Sequence, residues 1–146
     1  MEEDKENQVS SPTCDALLVY CSDFRFWRTV FNFVLEGLKI SNFDILCYPG
    51  STANLCRDII QSHLFMEKIK FLHDRHKFHT IVLANHTDCG GYGGKESFNS
   101  PEAEKQAHIT DMMSAKSRLM SEFPHMKILA IYIDQTAETP HVQRIL

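Results

Sequence analysis

Apolar residues recur along the chain in two patterns. Ala16-Leu17-Leu18-Val19-Tyr20 and Thr80-Ile81-Val82-Leu83-Ala84-Asn85 are short, continuous apolar runs, each followed by polar residues. Runs of that length read as buried strands. Phe43 to Tyr48 and Met126 to Ile133 read the same way, and His141 to Leu146 as a short final strand. The third strand is expected to span Phe78 to Asn85.

Helical spacing fills the gaps. Trp27, Val30, Phe31, Val34, Leu35 and Leu38 repeat every three to four residues, with Gly37 near the end. Ser51 or Thr52 is placed to cap a second helix running to about Phe71, with Leu55, Cys56, Ile59, His63 and Met66 on one side. Ser100-Pro101-Glu102 opens a third, with proline at its first position. It runs to about Glu122 and carries Ile109, Met112, Met113 and Leu119.

Strands alternating with helices predict an α/β fold: three layers, a mainly parallel sheet and helices on both faces. Residues 1–13 are charged and polar and read as a disordered leader, and 14–146 as a single domain. Ligands of such sheets bind beyond the carboxyl ends of the strands.

Two of those strand ends carry chemistry. After the first strand comes Cys21-Ser22-Asp23-Phe24-Arg25; after the third comes His86-Thr87-Asp88-Cys89-Gly90-Gly91. A histidine and a cysteine three positions apart beyond a strand end can be aimed by a turn at one point. Gly90 and Gly91 permit that turn and a close backbone approach. Such a pair chelates a borderline metal, zinc first, and Cys21 is the third ligand if the two strands are neighbours.

Cys-x-Asp-x-Arg and His-x-x-Cys, in this order and 65 positions apart between Cys21 and His86, resemble the paired signatures of β-class carbonic anhydrases. The late strand Ile128 to Asp134 resembles that family's late strand ending in an aromatic residue and Asp. The resemblance implies a strand order of 2-1-3-4, a zinc ion on Cys21, His86 and Cys89, and reversible hydration of CO2 to bicarbonate. Three protein ligands leave one tetrahedral position for water, whose pKa the metal lowers toward neutrality. By the same resemblance Asp23, held by Arg25, is either the acceptor that orients the water or a gating fourth ligand. Gly90 and Gly91 are expected at the substrate pocket, and a homodimer or larger homo-oligomer is implied. The aromatic segment Phe26 to Phe33 offers an apolar contact surface for it. The loop Tyr48 to Asn54 departs from the family's Arg-Asn-containing one. Hydrolysis of carbonyl sulfide or carbon disulfide, and a closed zinc site without turnover, are the alternative functions.

Composition narrows this further. A net charge of −4 without a basic cluster argues against a nucleic-acid partner, and no apolar stretch is long enough to span a membrane. The absence of a signal peptide makes the cytoplasm the expected location. Five cysteines, an odd number, argue against a disulfide framework and leave thiols free to ligate metal. Cys47 and Cys56 are expected as small buried residues, and Cys14 as a bystander in a loose tail. His73, His76 and His79, and also Glu102, His108 and Asp111, are expected to face solvent, and Asp88 to serve as a turn residue or loop cap.

Overall fold

Leu17, Leu18 and Val19 are fully buried because β1 (Ala16–Tyr20) lies inside a sheet covered on both faces. The structure, a computed structural model, describes residues 11–146; of the expected leader, residues 1–10 lie outside the described residues. β2 (Phe43–Cys47), β3 (Thr80–His86), β4 (Lys127–Asp134) and β5 (His141–Arg144) complete the sheet, in the order β2-β1-β3-β4-β5. The first four strands are parallel, as expected, and β5 joins antiparallel at the edge of β4.

Side chains alternate across the sheet, and this divides the core into two layers. Leu17, Val19, Ile81, Leu83, Ile128 and Ala130 pack with Phe65, Met66 and Ile69 of α2 (Ile59–His76) and Met112, Ala115 and Leu119 of α3 (Pro101–Glu122). Leu18, Tyr20, Val82, Ala84, Leu129 and Ile131 face the other way. They pack on Phe26, on Val30 of α1 (Trp27–Asn32), and on Val34 of the wider helical turn Phe33–Gly37 that continues α1.

The second helix differs from its expected form. Ser51–Leu55 is a separate 3-10 turn, and Asp58 caps α2 by accepting from the Gln61 amide at 2.7 Å. The chain cannot continue from one helix into the other because Cys56 leaves helical geometry and Asp58 is extended. The inward face is therefore Ser62, Phe65, Met66 and Ile69, while Ile59 and His63 are exposed. The third helix starts where expected, with the Ser100 hydroxyl accepting from the Ala103 amide.

β1 connects to β2 on one side, and the chain then returns past β1 to β3 on the other. This reversal opens a crevice beyond the carboxyl ends of β1 and β3. Val19 pairs with Leu83, so Cys21 falls level with Asn85, one residue short of His86.

Candidate metal centre

The Cys21 Sγ, the Cys89 Sγ and a ring nitrogen of His86 all lie within 4.8 Å of one another, and all three residues are buried. The two sulfurs are 3.7 Å apart. Two thiolates on one tetrahedral zinc, each at about 2.3 Å, would stand about 3.8 Å apart. His86 Nδ1 donates to the Thr87 carbonyl at 2.7 Å, which leaves Nε2 as the bare lone pair. That Nε2 is buried and has no hydrogen-bond partner. Two converging sulfurs and an orphaned, correctly polarised imidazole nitrogen fit a zinc ion.

The backbone is arranged for negative charge on sulfur. The amides of Gly50 and Asp23 are directed at Cys21, and those of Gly91 and Gly50 at Cys89. The contact between the two sulfurs pulls the Cys21 thiol down, while the same contact and burial push Cys89 up. Without a cation the pair therefore keeps one proton; a dication replaces it. Gly91 brings Gly50 into place. A β-carbon on Gly91 would lie 2.4 Å from Gly50 Cα and N, so only glycine allows the two backbones to touch. Gly90 is exposed, and a β-carbon there would meet nothing within 4 Å.

Parity along β3 decides what His86 touches. His86 points to the α1 face, where Phe26 stacks on its ring at 4.4 Å between centroids. Phe26 is almost wholly buried and shields the imidazole from solvent. The sequence offers Phe26 as part of an apolar contact surface; nothing local reveals its pairing with a histidine 60 positions on.

Asp23 is not one of the three mutually close donors. Arg25 holds it: Nε donates to Oδ1 at 3.0 Å, Nη2 to Oδ2 at 2.7 Å, and the Arg25 amide to Oδ1 at 2.9 Å. The guanidinium accordingly keeps the Asp23 carboxyl below the usual carboxylate range. Arg25 also reaches the loop of Cys89, donating to the Asp88 carboxylate and carbonyl at 3.0 Å each. Asp88 has a positive φ and accepts from the Lys95 amide, so it caps the loop besides pairing with Arg25. One side chain thus ties the two strand ends together. Beside it lies a cavity of about 570 Å³ lined by Arg25, Phe26, Thr87, Asp88, Glu104 and Gln135, among others. Cys21, His86, Cys89, Gly90 and Gly91 do not line it.

Behind β3 lies a buried polar network, two of whose members, His108 and Asp111, the sequence pattern assigns to solvent. Asn85 points to the α3 face, opposite to His86. It accepts from the Thr52 hydroxyl at 3.0 Å and donates to the Tyr92 hydroxyl at 3.0 Å and to His108 Nδ1 at 2.9 Å. Tyr92 in turn donates to Asp111, which also accepts from Arg57 at 2.6 Å. His108 and Asp111 are therefore buried, and only Glu102 of that trio is exposed. Burial holds His108 neutral, its pKa down to about 3. Glu104, also buried, accepts from the Asp88 amide and so braces the metal-site loop from α3. Cys47, expected inside, is exposed at the end of the edge strand β2, and Cys56 is half-buried.

Comparison with known proteins places this architecture. An uncharacterized protein of Rickettsia conorii is 28% identical over 134 residues, covering 88% of this chain and 72% of the relative. A β-carbonic anhydrase of Aspergillus fumigatus, CafD, superposes with a TM-score of 0.58 at 12% identity, covering 100% of this chain and 97% of that one. A β-carbonic anhydrase of Trichomonas vaginalis superposes with a TM-score of 0.55 at 14% identity, covering 94% and 85%. At these identities the likeness is one of fold. The sequence model of the family described as "Putative carbonic anhydrase" matches residues 11–143, nearly the whole described chain, and the protein belongs to that family.

Proposed function

We propose that this chain catalyses the zinc-dependent, reversible hydration of CO2 to bicarbonate. The observation that supports it most is the orphaned, buried His86 Nε2 facing two sulfurs 3.7 Å apart. Cys21, His86 and Cys89 would hold the ion; family membership and the fold add support. A zinc ion so held supplies a Lewis acid that makes water acidic near neutral pH.

The chain's own residues do the rest. Two thiolates and a neutral imidazole offset the charge of the dication. Phe26 keeps bulk water from the His86 edge of the site. Asp23, fixed by four hydrogen bonds from Arg25, is ionised and accepts from a proton-bearing oxygen rather than donating to it. In this arrangement Asp23 orients the attacking water; ligating the metal would require it to leave Arg25. The cavity beside Arg25, lined by Phe26, Thr87 and Gln135 among others, leaves room for a substrate of three atoms.

The reading extends to a homodimer, for which the exposed side chains of Phe24, Trp27 and Leu35, in and beside α1, offer apolar contact area. Light scattering at the mass of one chain would remove this part. Among the described residues no helix is long and apolar enough to cross a membrane.

Stopped-flow CO2 hydration near pH 7 and pH 8.5, on protein whose zinc content is measured in the same batch, tests the main reading. Zinc bound together with activity, the activity and one equivalent of zinc lost in Cys89→Ser, is the expected result. Full zinc occupancy with no CO2 turnover at either pH refutes it. Sulfide release from carbonyl sulfide or carbon disulfide would then identify a related hydrolase, and silence toward all three a zinc protein without turnover.

A further inference from the structure

A second group of metal-ligand side chains lies at the other end of the sheet. The Cys14 Sγ, an Asp44 carboxylate oxygen and a ring nitrogen of His76 all lie within 4.8 Å of one another, each residue half-buried. They come from three elements: the residue before the approach to β1, the second position of β2, and the last residue of α2. All of β1 separates this cluster from Cys21. Neither Cys14 nor the three-histidine stretch is expected from the sequence to hold a site. Cys14 and His76 are brought together only by the fold.

We propose that Cys14, Asp44 and His76 form a second site for a divalent transition cation of the zinc class, distinct from the centre at Cys21, His86 and Cys89. The donor set supports that class. One sulfur, one imidazole nitrogen and one carboxylate oxygen are the mixed donors zinc accepts, and three protein ligands leave a position for water. Magnesium and calcium prefer all-oxygen sites.

The backbone holds the three in place. The Cys14 amide donates to the carbonyl of His76 itself at 3.0 Å, so the two ligands are tied through the main chain. The Asp15 amide donates to the Asn42 side chain at 2.7 Å, anchoring the same segment to the approach to β2. Asp44 is registered against Leu17. Cys14 is thus pinned, not a bystander in a loose tail.

The electrostatics favour a cation. His76 Nδ1 sits 2.6 Å from Asp44 Oδ2. His76 lies in the last turn of α2, where the exposed carbonyls form the negative end of the helix and cations are stabilised. The Cys14 thiol lies beside His76 and Asp44 and donates to the Ala16 carbonyl at 3.3 Å. A metal ion would displace the thiol proton and neutralise both the thiolate and the carboxylate. Its nearest alternative is a plain His76–Asp44 ion pair with a thiol alongside.

The test is cobalt titration of the full chain, stripped of metal under reducing conditions, followed by thiolate-to-cobalt charge-transfer absorption and by metal analysis after desalting. The wild type is expected to retain two equivalents. Cys14→Ser and His76→Gln are each expected to lose one and keep the charge-transfer band of the Cys21–Cys89 centre. Cys89→Ser is expected to lose the other and keep the band from Cys14. A wild type retaining one equivalent that Cys14→Ser leaves intact overturns the proposal, as do two equivalents untouched by both Cys14→Ser and His76→Gln. One equivalent lost in Cys14→Ser but kept in Cys89→Ser would support the second site and refute the first. Far-UV circular dichroism checks that each variant is folded; His76→Gln serves if Cys14→Ser is not.

Discussion

Gly90 and Gly91 are neighbours in sequence, yet alanine should be tolerated at one and not at the other. Both have ordinary negative φ angles, so alanine is conformationally acceptable at each. At Gly90 the new β-carbon meets nothing within 4 Å. Its expected effect is neutral to slightly stabilising, up to about 0.5 kcal/mol, because alanine restricts the unfolded chain. At Gly91 the β-carbon would lie 2.4 Å from both Gly50 Cα and Gly50 N and 3.0 Å from the Pro49 carbonyl carbon. These are backbone atoms and cannot rotate away. Relief to ordinary contact needs a separation of about 1 Å, at an overpacking cost of about 1–3 kcal/mol. For a domain of this size that lowers Tm by about 4–10 °C. The displaced residue is the one whose amide faces both sulfurs, so zinc affinity should fall by about 10–100-fold, as for other losses of hydrogen bonds to metal ligands. Thermal unfolding of the two variants, with zinc competition against a chromogenic chelator, reads both effects. If the variants melt within about 1 °C of each other and hold zinc equally, the close contact between the Pro49–Gly50 turn and the Cys89 loop does not support the site.

Phe26→Ala empties a buried aromatic position above His86 and should cost about 3–5 kcal/mol, measured by urea unfolding; a cost below about 1 kcal/mol would mean the ring is not packed there. Asp23→Asn should keep its zinc while kcat/KM for CO2 falls about 100-fold, and unchanged turnover would remove Asp23 from the mechanism. His108 is neutral in the fold with its pKa lowered to about 3, against an ordinary 6.5. The unfolded chain therefore binds a proton first as pH drops, and stability attributable to this group is full above about pH 6.5 and lost on acidification toward about pH 3. His108→Gln should flatten that decline by as much as about 1.4 kcal/mol per pH unit, read from urea midpoints at several pH values. An identical slope in the variant would contradict it.

The sheet and the three candidate ligands were legible because their signals are local. Leu17 to Tyr20 and Ile81 to Ala84 are apolar at every position, which only strands covered on both faces require. Cys21 directly follows β1, His86 ends β3 and Cys89 lies three residues on, and the parallel order of β1 and β3 does the rest. The second helix was misjudged because Leu55 and Cys56 happen to continue the spacing of Ile59 and Met66, although a 3-10 turn and the Asp58 cap lie between. Ile59, in the first turn of α2, projects past the core, which apolar spacing alone cannot show. His108 and Asp111 read as surface residues since they are polar; their burial depends on Asn85, Tyr92 and Arg57, brought close only in the fold. The Phe26–His86 stack and the Cys14–Asp44–His76 group are likewise products of tertiary contact.

Asn85 and His86 face opposite layers of the protein from consecutive positions, and this limits how the gene can drift. Losing one codon within β3 would rotate the end of the strand by half a turn, presenting an amide to the sulfurs and an imidazole to the α3 network. Both the convergence of the candidate ligands and the interior behind them would fail in one step. Losing two codons restores the facing but shortens the reach by about 7 Å. Length variation among descendants of this chain should therefore collect in the connections on either side of β3, with the strand itself inherited as an indivisible unit.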